Sequence, residues 1–156
     1  MAGVDVDLLK SSFTEFSALE EKAVQSDFIL EIASLASYKT LIQTTQAPPI
    51  GGEFIEGYTS FGLKFYQYTT HDRAGQISFT ILDSKDGRVE EELWNLIINK
   101  IKTNAKLYRR GEGYSGKHWQ LTDCKFSVEQ ADYDVSAKTT LLARTITMAF
   151  NWSELV

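Results

Sequence analysis

The chain has 156 residues, a formal net charge of −5, and 43% hydrophobic against 24% charged residues. That balance excludes a disordered chain and suits one domain able to bury its own core without a metal or disulfide staple. The lone Cys124 excludes an intrachain disulfide, no run approaches the ~20 apolar residues of a membrane span, and no strongly basic composition favours tight duplex binding.

The negative charge is concentrated at one end. Residues 1–35 carry Asp5, Asp7, Glu15, Glu20, Glu21, Asp27 and Glu31 against Lys10 and Lys22, while the rest of the chain balances to zero. In that segment Leu8, Leu9, Phe13, Phe16, Leu19 and Val24 recur at spacings near three and four. The spacing predicts a helix-prone arm over residues 1–25 that folds back on its own domain or docks on a neighbour. The first residues lack the basic-then-apolar order of a secretory leader, so the chain is expected to be cytosolic where it is made.

Residues 26–35 and 39–46 alternate as strands, with Phe28, Leu30 and Ile32 on one face, and the short link Ala36-Ser37-Tyr38 predicts an antiparallel hairpin. Residues 47–57 hold Pro48, Pro49, Gly51, Gly52 and Gly57, which predicts a protruding loop. Its Ile50, Phe54 and Ile55 are too apolar for a solvated loop, so they pack on the body or meet another subunit. Residues 58–69 place Phe61, Leu63 and Phe65 on one face, with Ser60, Lys64, Tyr66 and Tyr68 on the other. A polar turn at 70–75 leads to a strand over 76–82, which predicts a further hairpin.

That strand, Ile77-Ser78-Phe79-Thr80-Ile81-Leu82-Asp83, runs through a turn into an amphipathic helix over 88–98. Asp86 is expected to N-cap it, with Glu90 to Glu92 near the positive end of its dipole. Val89, Leu93, Leu96, Ile97 and Ile101 form the expected buried stripe, and Lys100, Lys102 and Lys106 fall toward the negative end. Residues 108–116 read as a glycine-rich connection, followed by two long strands over 117–133 and 137–152. In the last, Leu142, Ile146, Met148, Phe150 and Trp152 share one face, and Thr139, Leu141, Ala143, Thr145, Thr147 and Ala149 the other. A face of Thr and Ala suits a wide barrel wall or a packed subunit edge. Together the elements predict a mainly β, α+β fold: an antiparallel β-sandwich or barrel with one packed helix and a helix-prone arm.

Chemistry-bearing residues are sparse. His71 and His118 have no Cys or carboxylate at metal-ligand spacing, so both read as solvated or structural. Cys124 on an alternating strand reads as a small core or interface residue. The run Gly111-Glu112-Gly113-Tyr114-Ser115-Gly116 follows a helix and opens a strand, the reverse of a phosphate-binding loop. The five basic residues between Lys100 and Arg110 are explained by the helix end, and Asp132 with Asp134 by a polar turn. No nucleophile, paired carboxylates, metal set or cofactor motif rises above chance, and no enzyme activity is expected.

The order of elements resembles the tail tube proteins of contractile-tailed bacteriophages, whose fold is similar to that of type VI secretion tube proteins. The resemblance runs from Ser26 onward. It rests on the loop from Ala47 to Tyr58, the strand, turn and helix from Ile77 to Trp94, and the ending Ile146-Thr147-Met148-Ala149-Phe150-Asn151-Trp152. The arm is longer than in that family, and Ala47-Pro48-Pro49 stands where a Leu-Pro pair is expected.

The resemblance implies a tail-tube-like β-barrel domain over 26–156. It further implies hexameric rings stacked into a hollow tube in a virion tail, assembled in the host cytoplasm, with DNA passing through the lumen without specific binding. Tail sheath and baseplate proteins are the implied partners, without a membrane anchor. Phe13, Phe16, Ile50, Phe54, Ile55 and Tyr58 are the candidate subunit contacts. A tube-initiating baseplate protein, or the tube subunit of another contractile injection system, is the near alternative. A monomeric barrel binding a small molecule against the Tyr58 to Tyr68 face is the alternative from another class.

Overall fold

The computed structural model describes residues 5–18, 25, 27–108 and 117–156. Helix α1 spans Val6–Ala18 and α2 Arg88–Ile98. The strands are β1 (Ile29–Ile32), β2 (Ile42–Thr45), β3 (Phe54–Tyr58), β4 (Lys64–Tyr68), β5 (Gly75–Leu82), β6 (Thr103–Tyr108), β7 (His118–Val128), β8 (Ala143–Phe150) and β9 (Trp152–Leu155). The fold is thus mainly antiparallel β with few helices. One sheet has the order β1-β6-β7-β8-β5-β2, with β9 also on β7, and β3 and β4 form a separate two-stranded sheet.

The two long strands foreseen at the end of the chain do pair. Val128 faces Ile146, Lys125 faces Ala149, Thr122 faces Trp152 and Trp119 faces Leu155. That unbroken register makes β8 and β9 one strand, bent at Asn151 opposite Asp123, whose backbone is left-handed at φ 57°. The Asn151 N–H donates to the Thr122 carbonyl at 3.1 Å, and Lys125 Nζ donates to Asn151 Oδ1 at 3.2 Å. The bend directs one half of the ribbon toward β6 and β1 and the other toward β5 and β2. Among the described residues the strand order ends at β1 and β2 without joining them, so the sheet does not close into a barrel.

The concave side holds the core. Ile77, Phe79 and Ile81 of β5 alternate inward to meet Ile146, Met148 and Phe150 of β8, and Leu30, Ile32, Ala105, Leu107 and Leu121 complete the layer. Helix α2 plugs it with Val89, Leu93 and Leu96. Each such aliphatic side chain contributes about 1.5–3 kcal/mol of burial, so the helix is held by its stripe more than by intrinsic propensity.

Several local expectations are corrected. The segments expected as a first hairpin do not pair with each other: β1 lies on β6 and β2 on β5, at opposite ends of the sheet. Between them Ala33–Leu41 forms 3-10 turns kinked at Leu35, which is itself buried, and so the link is a core element and not a turn. Asp86 does not cap α2. Gly87 is the N-cap in a left-handed conformation, the Arg88 and Val89 N–H groups are met by Ser84 Oγ and Asp83 Oδ1 at 3.3 Å, and Asp86 sits 3.8 Å from Arg88 Nε.

The helix stops at Ile98 because Lys100 turns left-handed at φ 53°. The Ile101 N–H then closes on the Leu96 carbonyl at 2.9 Å and the Lys100 N–H on Ile97 at 3.2 Å, a Schellman stop. This stop leaves Ile97 and Ile101 36% and 45% exposed, outside the expected stripe. Trp152 also departs from the face of Phe150, since the bend at Asn151 shifts the pleat and buries Ser153 instead. The glycine-rich segment 111–116 lies outside the described residues.

Candidate assembly surface

The end of the expected loop over 47–57 and nearly all of the expected strand over 58–69 form one hairpin. Its turn is built by Gly62 at φ 82°. Gly62 N–H donates to the Thr59 carbonyl at 2.9 Å, Thr59 N–H to the Leu63 carbonyl at 2.8 Å, and Leu63 N–H to Thr59 Oγ1 at 3.1 Å. The chain reverses here, so β4 returns along β3 and never reaches β5 as the sequence reading expected.

Register sorts the hairpin into two faces. Phe54, Glu56 and Tyr58 stand opposite Tyr68, Tyr66 and Lys64, and Ile55 and Gly57 opposite Gln67 and Phe65. On the first face the Phe54 ring meets Tyr66 and Tyr68 at centroid distances of 6.3 and 6.1 Å. Lys64 Nζ lies 3.0 Å from Glu56 Oε1 and 5.1 Å from the centre of the Tyr66 ring, and Tyr58 donates to the same Glu56 oxygen at 3.1 Å. These contacts raise the affinity of Lys64 for its proton, Tyr66 first and Glu56 second. On the second face the Phe65 ring lies over Gly57, where an added Cβ would stand 2.5 Å from Phe65 Cζ.

The base of the hairpin is tied. Gly51 N–H donates to His71 Nδ1 at 2.7 Å, Asp72 N–H donates to the Gly51 carbonyl at 3.1 Å, and Thr69 Oγ1 donates to the Glu53 carbonyl. His71 is thus a structural clip. Beyond this base every residue of β4 is exposed, and Phe61 at the tip is 98% exposed. The Tyr58 to Tyr68 face is therefore open to solvent and not enclosed among the described residues. A two-stranded hairpin has marginal stability in water, and this one carries Phe54, Ile55, Tyr58, Phe61, Leu63 and Phe65 in the open.

Of the six candidate contacts, Phe54, Ile55 and Tyr58 lie on this hairpin and Ile50, 79% exposed, at its base. Phe13 and Phe16 lie on α1, none of whose residues is buried. Two components of the surface escaped the sequence reading. Phe61, Leu63 and Phe65, read from the sequence as one face of a strand, stand exposed on the hairpin, and Trp94 with Ile98 project from the outer side of α2, 64% and 55% exposed. The turn signal Ser60-Phe61-Gly62 was the available clue to the first.

Cys124 and Asp134 make structural contacts. Cys124 is fully buried and donates weakly to the Leu121 carbonyl at 3.6 Å. Burial pushes its thiol up to about 12, with Asp123 acting in the same direction. Asp134 caps its own turn, accepting from Ser136 Oγ at 2.7 Å and Ser136 N–H at 3.0 Å, which holds its carboxyl below the usual range. No group of three or more metal-ligating side chains occurs among the described residues.

The convex face of β5, β7 and β8 is the second feature suited to assembly. Gln76, Ser78 and Thr80 stand beside Ala149, Thr147 and Thr145, and Lys125 and Ser127 continue the rows. Lys125 is the one charged side chain among these eight positions.

No protein-family model matches the chain, and no curated protein matches it in sequence. Solved structures do match in fold. A chain of the sheath/tube terminator of the PVC extracellular contractile injection system, in its extended state, aligns with TM-score 0.68 at 15% identity over 88% of this chain and 99% of that one. A chain of the PVC sheath-tube complex aligns with TM-score 0.64 at 14% identity, over 92% and 97%. A chain of the six-fold symmetrised baseplate of the anti-feeding prophage aligns with TM-score 0.57 at 11% identity, over 88% and 97%. The open curved sheet, the plugging helix and the projecting hairpin are therefore the tail-tube-like fold of contractile injection systems.

Proposed function

We propose that the chain is a structural subunit of a tail tube, closing into hexameric rings that stack through the β3–β4 hairpin into a hollow conduit. The observation that carries this reading is the hairpin itself. It carries exposed apolar and aromatic side chains on both faces, and lying against another chain would stabilise it. Among the described residues no strand pairs the outer edges of β1, β2 and β9, and ring closure would supply partners for them. The Ser- and Thr-rich face of β5 and β8 becomes the channel wall. A wall of hydroxyls with few cations lets a phosphate polymer slide past, whereas a ring of lysines would hold it.

In the fullest form of the reading the tube belongs to a phage tail, assembles in the host cytoplasm with sheath and baseplate proteins around it, and passes DNA. The chain performs no catalysis. Residues 1–25 act as an arm and 26–156 as the body of each subunit. A second reading, a terminal or initiating ring, is favoured by the alignment with nearly the whole of a tube-terminator chain.

Negative-stain microscopy over a concentration series tests both. Rings that stack into tubes as concentration rises support the main subunit, and rings that stop at one layer support the terminal ring. A monomer at every concentration rejects both. Ile55→Asp is expected to leave the fold intact and abolish stacking, since it buries a charge in the docked hairpin.

A further inference from the structure

Two apolar surfaces lie open in the single chain, and they match each other. The first is α1. Val6, Leu9 and Phe13 recur on one side of the helix and are 54–71% exposed. Asp5 starts the helix by accepting from the Asp7 N–H at 2.9 Å. A free 13-residue helix is marginal in water, so this side needs a cover.

The second surface is a groove between α2 and the outer edge of β7. Two adjoining depressions, of about 400 and 300 Å³, share Ile97 and Phe126. Trp94 and Ile98 stand at one wall, and Val128 at the other. The groove follows α2 from Glu90 to its end at Ile98, roughly 12 Å, and the apolar side of α1 from Val6 to Phe13 is roughly 10 Å long at the rise of an α-helix.

Charge complements shape. Lys100, Lys102 and Lys125 edge the far end of the groove, and none of them is ion-paired among the described residues. The arm brings the opposite sign, with Asp5, Asp7 and Glu15 against Lys10 in its described part. Exposed charges of this kind attract over about a Debye length and set orientation.

We propose that α1 of one copy docks in the α2–β7 groove of a second copy, its Val6, Leu9 and Phe13 side against Trp94 and Ile97. The occupant is a second copy because helix and groove stand open together within one chain. The inference rests on the assembly reading, to which it adds the tie between neighbouring subunits.

The test mixes full-length chain carrying Phe13→Cys with full-length chain carrying Trp94→Cys and oxidises the mixture with copper phenanthroline in air. Both positions are exposed, so folding is unaffected, and the buried Cys124 does not compete. A disulfide-linked pair well above the level in either variant alone is expected. Adding Lys100→Glu and Lys102→Glu to the Trp94→Cys chain should slow its formation about tenfold at low salt. Rapid closure within a doubly substituted chain, without linkage in the mixture, overturns the inference in favour of an arm folded on its own body. No linkage in either case overturns it as well. Microscopy on the same samples separates the two readings: linked pairs without rings keep this inference and reject the tube, and rings without linked pairs do the reverse.

Discussion

Cys124 is the side chain whose environment changes its chemistry most. It stands on β7 opposite Thr103 of β6, fully buried, with its thiol held up to about 12. An unfolded thiol ionises near pH 9, so between about 9 and 12 the unfolded chain loses a proton that the folded chain keeps. Stability from this group is complete below the lower value and falls as pH rises to the upper one, by at most about 1.4 kcal/mol per pH unit. Chemical denaturation from pH 8 upward should therefore show a shallower alkaline loss in Cys124→Ala than in the native chain. Equal slopes would mean that water reaches the thiol. The same burial makes Cys124 unreactive toward thiol dyes until the chain unfolds. Its alternating position made a core role legible in the sequence. His71 was legible only as structural or solvated, because its partner Gly51 is fixed by a backbone reversal twenty residues away.

Helix α2 divides its apolar residues between two tasks, and adjacent positions separate them. Leu93 is 2% exposed inside the core, while Trp94 is 64% exposed on the outer side. Leu93→Ala is expected to cost about 2–5 kcal/mol through lost burial and the cavity left behind. Trp94→Ala should change the stability of the isolated subunit by less than about 0.5 kcal/mol, as exposed substitutions do. Urea unfolding of both variants at low protein concentration checks the pair, and a comparable loss at Trp94 would place it in the fold and not in an interface. The helix was readable because its 3.6-residue period is set by one buried side. The β3–β4 hairpin was not, since alternation locates an inside only when one face is buried, and here both are open in the single chain. The partners of β1 and β2 were hidden for another reason. Their pairing runs to β6 and β5, and the buried Leu35 turns the intervening segment into a crossing that the alternating pattern does not encode.

At the scale of the whole molecule, the subunit has a complete core and an incomplete surface. The seven-stranded sheet and α2 stabilise each other within one chain, whereas the hairpin and α1 are largely exposed and, among the described residues, no strand pairs the outer edges of β1 and β2. Such a chain should fold alone and gain further stability by association, because any partner that binds only the folded state pulls the folding equilibrium toward it. The melting temperature is therefore expected to rise with protein concentration in the native chain. In Ile55→Asp the part of that rise contributed by stacking should vanish, while the value at the lowest concentration stays the same. Scanning calorimetry across about two decades of concentration makes the comparison, with light scattering reporting mass; a hundredfold excess over a dissociation constant is worth about 2.7 kcal/mol. A melting temperature that ignores concentration in the native chain would leave the exposed hairpin without a stabilising role in self-assembly. A rise that persists unchanged in Ile55→Asp would move the association from the hairpin to the sheet edges or the arm, whose unpaired strands and apolar helix are the remaining surfaces able to supply it.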